Sequence, residues 1–487
     1  MKDLPRDVLL QIFIAATDSP RLQTLDPDHP LPKNERVCKA WRDITGAHPS
    51  LWAKILVDVG SEVSEEQKKV QLRTLRLFLL RSKDAPLSIK CLSCPLSHEI
   101  SEPSFSAYGA AQLIRSHISH IRSLRVPLPL LAVIIGPAQF PAQFPTHLDG
   151  GHPPLPMLEH VTTAADKAEY DDEITDCTSP ISGQLVVAPA LAAAPRLTVF
   201  HSTFDIHLIT LPWSSITNLT VNTSHPAYLA YHLPLLSALQ VLRIRYVRYL
   251  QRETRTPPDG LLTQSPLVFP PTLVPLEVQA YQEQGRRRRG RDEATAIGPM
   301  FSNSVLIGLR ELIVCPPYAD EDWDDGEDDD DPVDIQWDPD TFAPLLSPSP
   351  LSSLTMLCLR RVIADWNDLR QGLACNQGLT HLELWGPWSE AAGDALGFAP
   401  VISDLAVGGR DVLFPVLKRL VLVDIPNIGI EDVVGMVVER TKFSPLQEFG
   451  YTPGEDLDDG MIGELVEVLG PAVNDPSGYI DYVFVAL

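Results

Sequence analysis

Beyond residue 60 one short apolar pattern keeps returning: an apolar residue, two others, a leucine, then one or two apolar residues at alternate positions. It is compact at Leu72, Leu75, Leu77, at Ile121, Leu124, Val126, and at Ile216, Leu219, Val221. It is fuller at Leu236, Leu239, Leu242, Ile244, at Leu306, Leu309, Leu312, Val314, and at Leu351, Leu354, Leu357, Leu359. Leu379, Leu382, Leu384, then Phe414, Leu417, Leu420, Leu422, then Phe443, Leu446, Phe449, Tyr451 continue it. Alternation of the Leu-x-Leu kind describes a short strand with one buried face. The apolar residue three positions upstream forms the bend that leads into the strand. No such unit can bury its apolar side alone, so neighbours must stack into a continuous core. The pattern therefore predicts an α/β chain: a curved parallel sheet with helices and loops on its outer side. The intervals are irregular, roughly 20 to 50 residues against 20 to 29 in regular arrays.

Composition narrows the rest. There are 45 prolines among 487 residues, about twice the usual share of about 5%, which disfavours long helical bundles and coiled coils. A formal net charge of −24 repels polyanions, so neither nucleic acid nor an anionic membrane is an expected partner. Seven cysteines, odd in number and scattered, fit a reducing compartment better than a disulfide framework. The start lacks the charged-then-apolar pattern of a leader. The most apolar windows, 126–135 and 185–194, are shorter than the about 20 residues that span a bilayer. A soluble protein of cytoplasm or nucleus is expected.

The first sixty residues read differently. Pro5 suits the first turn of a helix, and Val8, Leu9, Ile12, Phe13 and Ala16 follow at helical spacing. Asp18-Ser19-Pro20 ends that helix, and Asp26-Pro27-Asp28-His29-Pro30 marks a loop. A second helix is expected to hold Val37, Cys38, Trp41 and Ile44 together, and a third, short one to start at Pro49 and carry Trp52 and Ile55. Three short helices cannot bury so many apolar positions among themselves. They either cap the region that follows or dock another protein's helices at i, i+4 spacing.

Leu4-Pro5-Arg6-Asp7-Val8-Leu9-Leu10-Gln11-Ile12-Phe13, then Val37-Cys38-Lys39-Ala40-Trp41-Arg42, then Pro49-Ser50-Leu51-Trp52 resemble, in order, the three blocks of the F-box, in the F-box-like form common in fungal proteins. Lys33-Asn34-Glu35 stands where that family usually has a Leu-rich turn. The recurring strand pattern is similar to the degenerate leucine-rich repeats that often follow an F-box. Together these resemblances imply a three-helix F-box-like domain at 1–57 and an irregular leucine-rich-repeat solenoid at 68–487. They imply a substrate-receptor subunit of a cullin–RING ubiquitin ligase, binding a Skp-type adaptor, and through it a cullin, by Leu4, Pro5, Val8, Leu9, Ile12, Phe13, Val37, Trp41 and Trp52. The repeats would hold a protein substrate. In the alternative, the helices only cap a non-enzymatic binding scaffold.

Two stretches interrupt the array, 251–300 and 316–350, and both are expected as disordered insertions. The first contains Gly285-Arg286-Arg287-Arg288-Arg289-Gly290-Arg291, a solvated loop or an import signal. The second contains the run Asp320 to Asp331, and no Lys, Arg or His occurs from Glu311 to Leu359. Such like-charge blocks repel themselves and at most bind divalent cations weakly. Cys91-Leu92-Ser93-Cys94 with His117 and His120 has the wrong histidine spacing for a zinc set. Asp338-Pro339-Asp340-Thr341 copies a phosphatase motif without the buried strand that chemistry needs. No phosphate-binding, dinucleotide-binding or hydrolase motif is present. A non-catalytic chain without cofactor is expected.

Overall fold

The computed structural model describes residues 5–17, 29–57, 64–91, 105–135, 154–163, 188–206, 209–223, 226–247, 267–280, 304–305, 308–315, 335–336, 354–360, 362–363, 370, 373–374, 376–386, 404–406, 414–423, 430–444, 446–452, 472–473 and 483–486. The chain divides into two compact units, Met1–Leu219 and Thr220–Leu487. Among the described residues no helix is long and apolar enough to cross a membrane.

The first unit opens with α1 (Arg6–Thr17), α2 (Pro30–Val37), α3 (Lys39–Ala47) and a 3-10 turn (Pro49–Trp52). Then come β1 (Lys54–Val57), α4 (Glu65–Ser82), β2 (Leu87–Cys91), α5 (Phe105–Arg115), β3 (Ile121–Arg125), α6 (Leu128–Ile135), β4 (His160–Thr163), α7 (Ala188–Ala192) and β5 (Val199–Asp205). β1 to β5 pair in chain order, all parallel. Ile55, Val57, Leu87, Ile89, Leu124, Val161 and Phe200 are buried, and the residues between them are exposed or half-buried on the opposite face. The register shifts between Leu87 and Ser88, which leaves Arg122 unmatched as a bulge residue. Such a bulge re-aims its side chain, and Arg122 Nε donates to Glu159 at 2.7 Å.

β6 (Asn218–Thr223) crosses the division. The second unit continues with α8 (Pro226–His232), β7 (Val241–Val247), β8 (Leu267–Val268), β9 (Pro275–Ala280), β10 (Ser304–Val305), β11 (Glu311–Cys315), β12 (Ile335–Gln336), β13 (Met356–Arg360), β14 (Val362–Ile363), β15 (His381–Trp385), β16 (Arg419–Val423), α9 (Ile430–Thr441), β17 (Glu448–Thr452), β18 (Ala472–Val473) and β19 (Val483–Ala486). Seven strands pair in parallel in the order β7, β9, β11, β13, β15, β16, β17. β17 then pairs antiparallel with β19, and β19 with β18. The pairs β8/β10 and β12/β14 stand apart. Leu242, Leu276, Leu312, Leu357, Leu382, Leu420 and Phe449 occupy one register row and are all buried.

One turn precedes many of these strands. Leu239 N–H donates to Leu236 O, Leu273 to Pro270, Leu379 to Asn376 and Leu417 to Phe414. Two successive N–H groups then reach back to one carbonyl of the preceding strand's turn: Thr355 and Met356 to Arg310 O, Thr380 and His381 to Thr355 O, Lys418 and Arg419 to Thr380 O. Leu239, Leu273, Leu379 and Leu417, each three positions ahead of the buried Leu242, Leu276, Leu382 and Leu420, are thus buried by a tight hydrogen-bonded bend. Gly308 has φ +86°, and a Cβ there would lie 2.7 Å from Pro271 O, so this bend accepts only glycine. Phe414 takes the left-handed conformation (φ 58°) without that freedom.

Several expectations are corrected. Leu72, Leu75 and Leu77 lie on α4, not on a strand. Their spacing also satisfies a helix, and Ser64 and Gln67 close a capping box at its start. Ile55 lies on β1 rather than a third helix. Val37 and Trp41 do not share a helix: Cys38 is fully extended (φ −160°, ψ 170°) and separates α2 from α3. Lys33, Asn34 and Glu35 are helical, within α2. Residues 267–280, inside the expected insertion 251–300, contribute β8 and β9, and Ile335–Gln336, inside 316–350, forms β12. A compact division also falls after Leu219, inside the region 68–487. The Arg286–Arg291 cluster, the Asp320–Asp331 run and Asp338–Thr341 lie outside the described residues.

Candidate docking site

α1 carries an apolar stripe wider than the part it buries. Leu9 and Phe13, four apart, face inward and are buried. Val8 and Ile12, also four apart and one position over, are 43% and 46% exposed. Pro5, exposed, starts the helix: its carbonyl accepts from Leu9 N–H at 3.1 Å. Thr17 closes it by donating to Phe13 O and Ile14 O.

His29 caps α2, its Nδ1 accepting from Leu31 N–H at 3.2 Å. Leu31 points inward and is buried, while Val37 at the far end is 59% exposed. In α3, Trp41 is half-buried with its ring edge-on to Phe13, centroids 5.0 Å apart. Trp52 has no exposed surface. Its indole N–H donates to Thr45 O at 2.9 Å, and its ring meets Phe78 of α4 edge-on at 4.9 Å.

The nine residues expected to contact an adaptor therefore fall into separate groups. Pro5, Val8, Ile12 and Val37 are exposed and Trp41 partly so. Leu9, Phe13 and Trp52 are core, and a side chain with almost no accessible surface cannot meet a partner in this arrangement. Leu4 lies outside the described residues. No helix-only pattern could sort Trp41 from Trp52, because the sorting depends on Phe78, a residue twenty-six positions beyond Trp52.

The inward side of the helices is tied to α4. Phe78 also takes the His29 ring edge-on at 5.1 Å. Arg81 Nη2 lies 3.1 and 3.2 Å from the two Glu35 carboxylate oxygens, and its guanidinium carbon lies 5.9 Å from the Trp52 ring centre. Glu35, part of the segment that departs from the family pattern, is thus a fastening to α4. Immediately after Trp52, β1 pairs with β2. Sequence reading missed these ties. The signal available was α4's run Leu75, Phe78, Leu79 at helical spacing, hidden inside an apparent strand repeat.

Residues 1–58 match the F-box-like family. The F-box-like segment thus ends at the first strand of the sheet, and its three helices and 3-10 turn precede that strand. No curated protein matches the chain.

Other candidate sets do not assemble. Cys91 is buried on β2, and His117 and His120 follow α5, while Cys94 lies outside the described residues. No group of three or more His, Cys, Asp or Glu is placed to hold a metal among the described residues.

Proposed function

We propose that the F-box-like segment docks this chain on a Skp-type adaptor, and through it a cullin, and that the rest of the chain receives a protein substrate for ubiquitin transfer by other subunits. The observation that carries the docking half is the family match at residues 1–58 on a domain whose Val8, Ile12 and Val37 remain exposed. Covering what remains exposed of these side chains contributes on the order of 1 kcal/mol each. The parallel strands with their shared bends support a leucine-rich-repeat-like solenoid as the substrate-holding part. The gain is positional: joining adaptor and substrate on one chain raises their effective concentration. No catalytic role is assigned to this chain, and its expected setting is cytoplasmic or nuclear.

A second reading makes the helices a cap only. The packing of Trp52 on Phe78 and the Glu35–Arg81 pair favour it, since terminal units of stacked arrays need covering. The two readings agree about the inward face and differ over the outward one. Co-expression with a Skp-type adaptor separates them. Val8→Glu/Ile12→Glu should abolish co-purification and leave the melting temperature within about 2 °C, because both positions are exposed. Wild-type chain that never co-purifies with the adaptor removes the docking reading and leaves the cap.

A further inference from the structure

α4 has two unlike faces. Leu75, Phe78 and Leu79 are buried, and Phe78 meets the rings of Trp52 and His29. At about 100° of rotation per residue, Lys69, Arg73, Arg76 and Leu80 fall in one stripe on the side opposite Phe78, and all four are exposed. Lys83, which caps the helix, is exposed as well. From Gln67 to Lys83 the sequence holds no Asp or Glu. Arg81 is taken by Glu35; among the described residues no carboxylate pairs with Lys69, Arg73 or Arg76. Lys69 and Arg73 stand four apart and Arg73 and Arg76 three apart, spacings at which like charges weaken a helix that carries them uncovered. Leu80, 70% exposed, stands in line with these cations.

The intervals along the stripe are four, three and four residues, the spacing at which one helix presents its side chains to another. A helix with carboxylates at the facing positions and an apolar residue opposite Leu80 would replace the repulsion along the stripe with attraction and cover the leucine. The net charge of −24 opposes every anionic partner alike and does not choose among them; the make-up of the stripe does. A phosphate backbone has no contact to offer Leu80, and the stripe has no aromatic ring or imidazole on which to stack a base. A bilayer takes up a helix by a broad apolar face, and α4 has that face turned inward onto Trp52 and His29.

We infer that the outward stripe of α4 packs against an acidic amphipathic helix of a protein partner, with Arg73 and Arg76 meeting its carboxylates and Leu80 its apolar seam. This surface goes beyond the adaptor-docking reading and does not rest on it, because Val8, Ile12 and Val37 take no part.

Fluorescence anisotropy of the full chain, at about 0.15 M salt, tests it with a labelled helical peptide that carries Glu at alternating intervals of three and four residues around one Leu. A peptide of the same composition scrambled off that seam should bind about tenfold or more weakly, equivalent to about 1.4 kcal/mol. Arg73→Glu/Arg76→Glu should weaken the seam peptide by about tenfold or more, Arg73→Gln/Arg76→Gln by less, and Leu80→Ser by about threefold. Lys90→Glu/Arg125→Glu, the same change of charge at exposed positions of β2 and β3, should alter binding by less than about twofold. No binding, equal binding of the scrambled peptide, equal losses in the two charge reversals, or tighter binding of single-stranded DNA or of phosphatidylserine vesicles through the same residues overturns the inference. Adaptor co-purification is read separately. Val8→Glu/Ile12→Glu should lose the adaptor and keep the peptide, and Arg73→Glu/Arg76→Glu should do the reverse. Loss of the adaptor on the stripe substitutions would place α4 in the docking surface and overturn the inference; wild-type chain that binds the peptide and never the adaptor would remove the docking reading and leave this one standing.

Discussion

In the first unit the face away from the core sets Lys90 against Arg125; in the second the equivalent face sets Arg243 against Glu277 and Arg419 against Glu448. The backbone plan is the same in both, with parallel strands and one buried apolar row after another. The use of charge is opposite. In the second unit Arg243 Nε lies 2.9 Å from Glu277, and Arg419 Nη1 3.0 Å from Glu448. Glu383, largely buried, lies 3.4 Å from Arg419 and 3.8 Å from Arg360 and accepts from the Cys358 thiol at 3.4 Å. Burial pushes that thiol up, and the Glu383 carboxylate adds to the effect. The Arg360 guanidinium also lies 4.1 Å over the Trp385 ring, which packs on Val421 and Val423. A face that satisfies its own charges is a structural surface. A face that sets two cations against each other leaves their repulsion to solvent screening.

That contrast can be broken in four ways. The largest effect is expected at the two tryptophans. Trp52→Ala should cost about 3–5 kcal/mol, because it opens a cavity against Phe78 and leaves Thr45 O without its donor. Trp385→Ala, only half-buried, should cost about 1–2 kcal/mol, the ring contact and its cation partner together. Urea melts of the full chain that rank them the other way would show that the F-box-like helices are not fastened to the first unit as described.

Next is Glu383→Ala. Removing the carboxylate that Arg360 and Arg419 share takes one partner from each, while Arg419 keeps Glu448, and should cost about 1.5–3 kcal/mol. Combining it with Arg419→Ala should recover part of that loss. Denaturant midpoints showing a neutral single substitution would mean that this face is as open as that of the first unit.

A smaller effect is expected in alkali, with opposite sign in the two units. Tyr451 is buried and its phenol is pushed up to about 12 from 10.0, by burial first and the Asp432 carboxylate second. Above pH 10 the unfolded chain loses this proton while the fold retains it, so stability falls between about pH 10 and 12. Lys90, lowered in the fold, contributes in the other direction: the unfolded chain holds its proton to higher pH, so stability recovers as pH rises through the lysine range. Tyr451→Phe should flatten the fall in a pH series of melts, and Lys90→Gln should slightly steepen it.

The smallest effect is at neutral pH. Lys90→Ala and Arg125→Ala should each change stability by no more than about 0.5 kcal/mol, in contrast with Glu383→Ala. A large loss at either would mean that the cations of the first unit are paired within the fold.

The strands at Leu242, Leu312, Leu357, Leu382, Leu420 and Phe449 were legible because each carries strong apolar residues at alternate positions behind an apolar bend. β4, β5 and β9 use the same bend, at Leu155–Leu158, Ala194–Leu197 and Pro270–Leu273. They are less legible because Ala194 and Pro270 stand where leucine carries the signal, and because Thr163 on β4 takes the place of the second apolar strand residue. At Leu72–Leu77 the pattern was present and the element was a helix, since a three-residue spacing serves both periods and only length and capping decide. In the docking site the three blocks of residues were readable, whereas their sorting into core and surface was not.

By itself the sequence determined which side chains alternate, where bends interrupt them, and that residues 1–57 carry the F-box-like pattern. Those are local properties, set by spacing and by the conformational limits of proline and glycine. The tertiary structure alone decided that Glu35 meets Arg81, that Trp52 rather than Trp41 is buried, and that Lys90 faces Arg125 while Arg243 faces Glu277. Each of these depends on the register between strands or on the packing of helices far apart in the chain. A shift of one residue in register would turn every such side chain to the other face.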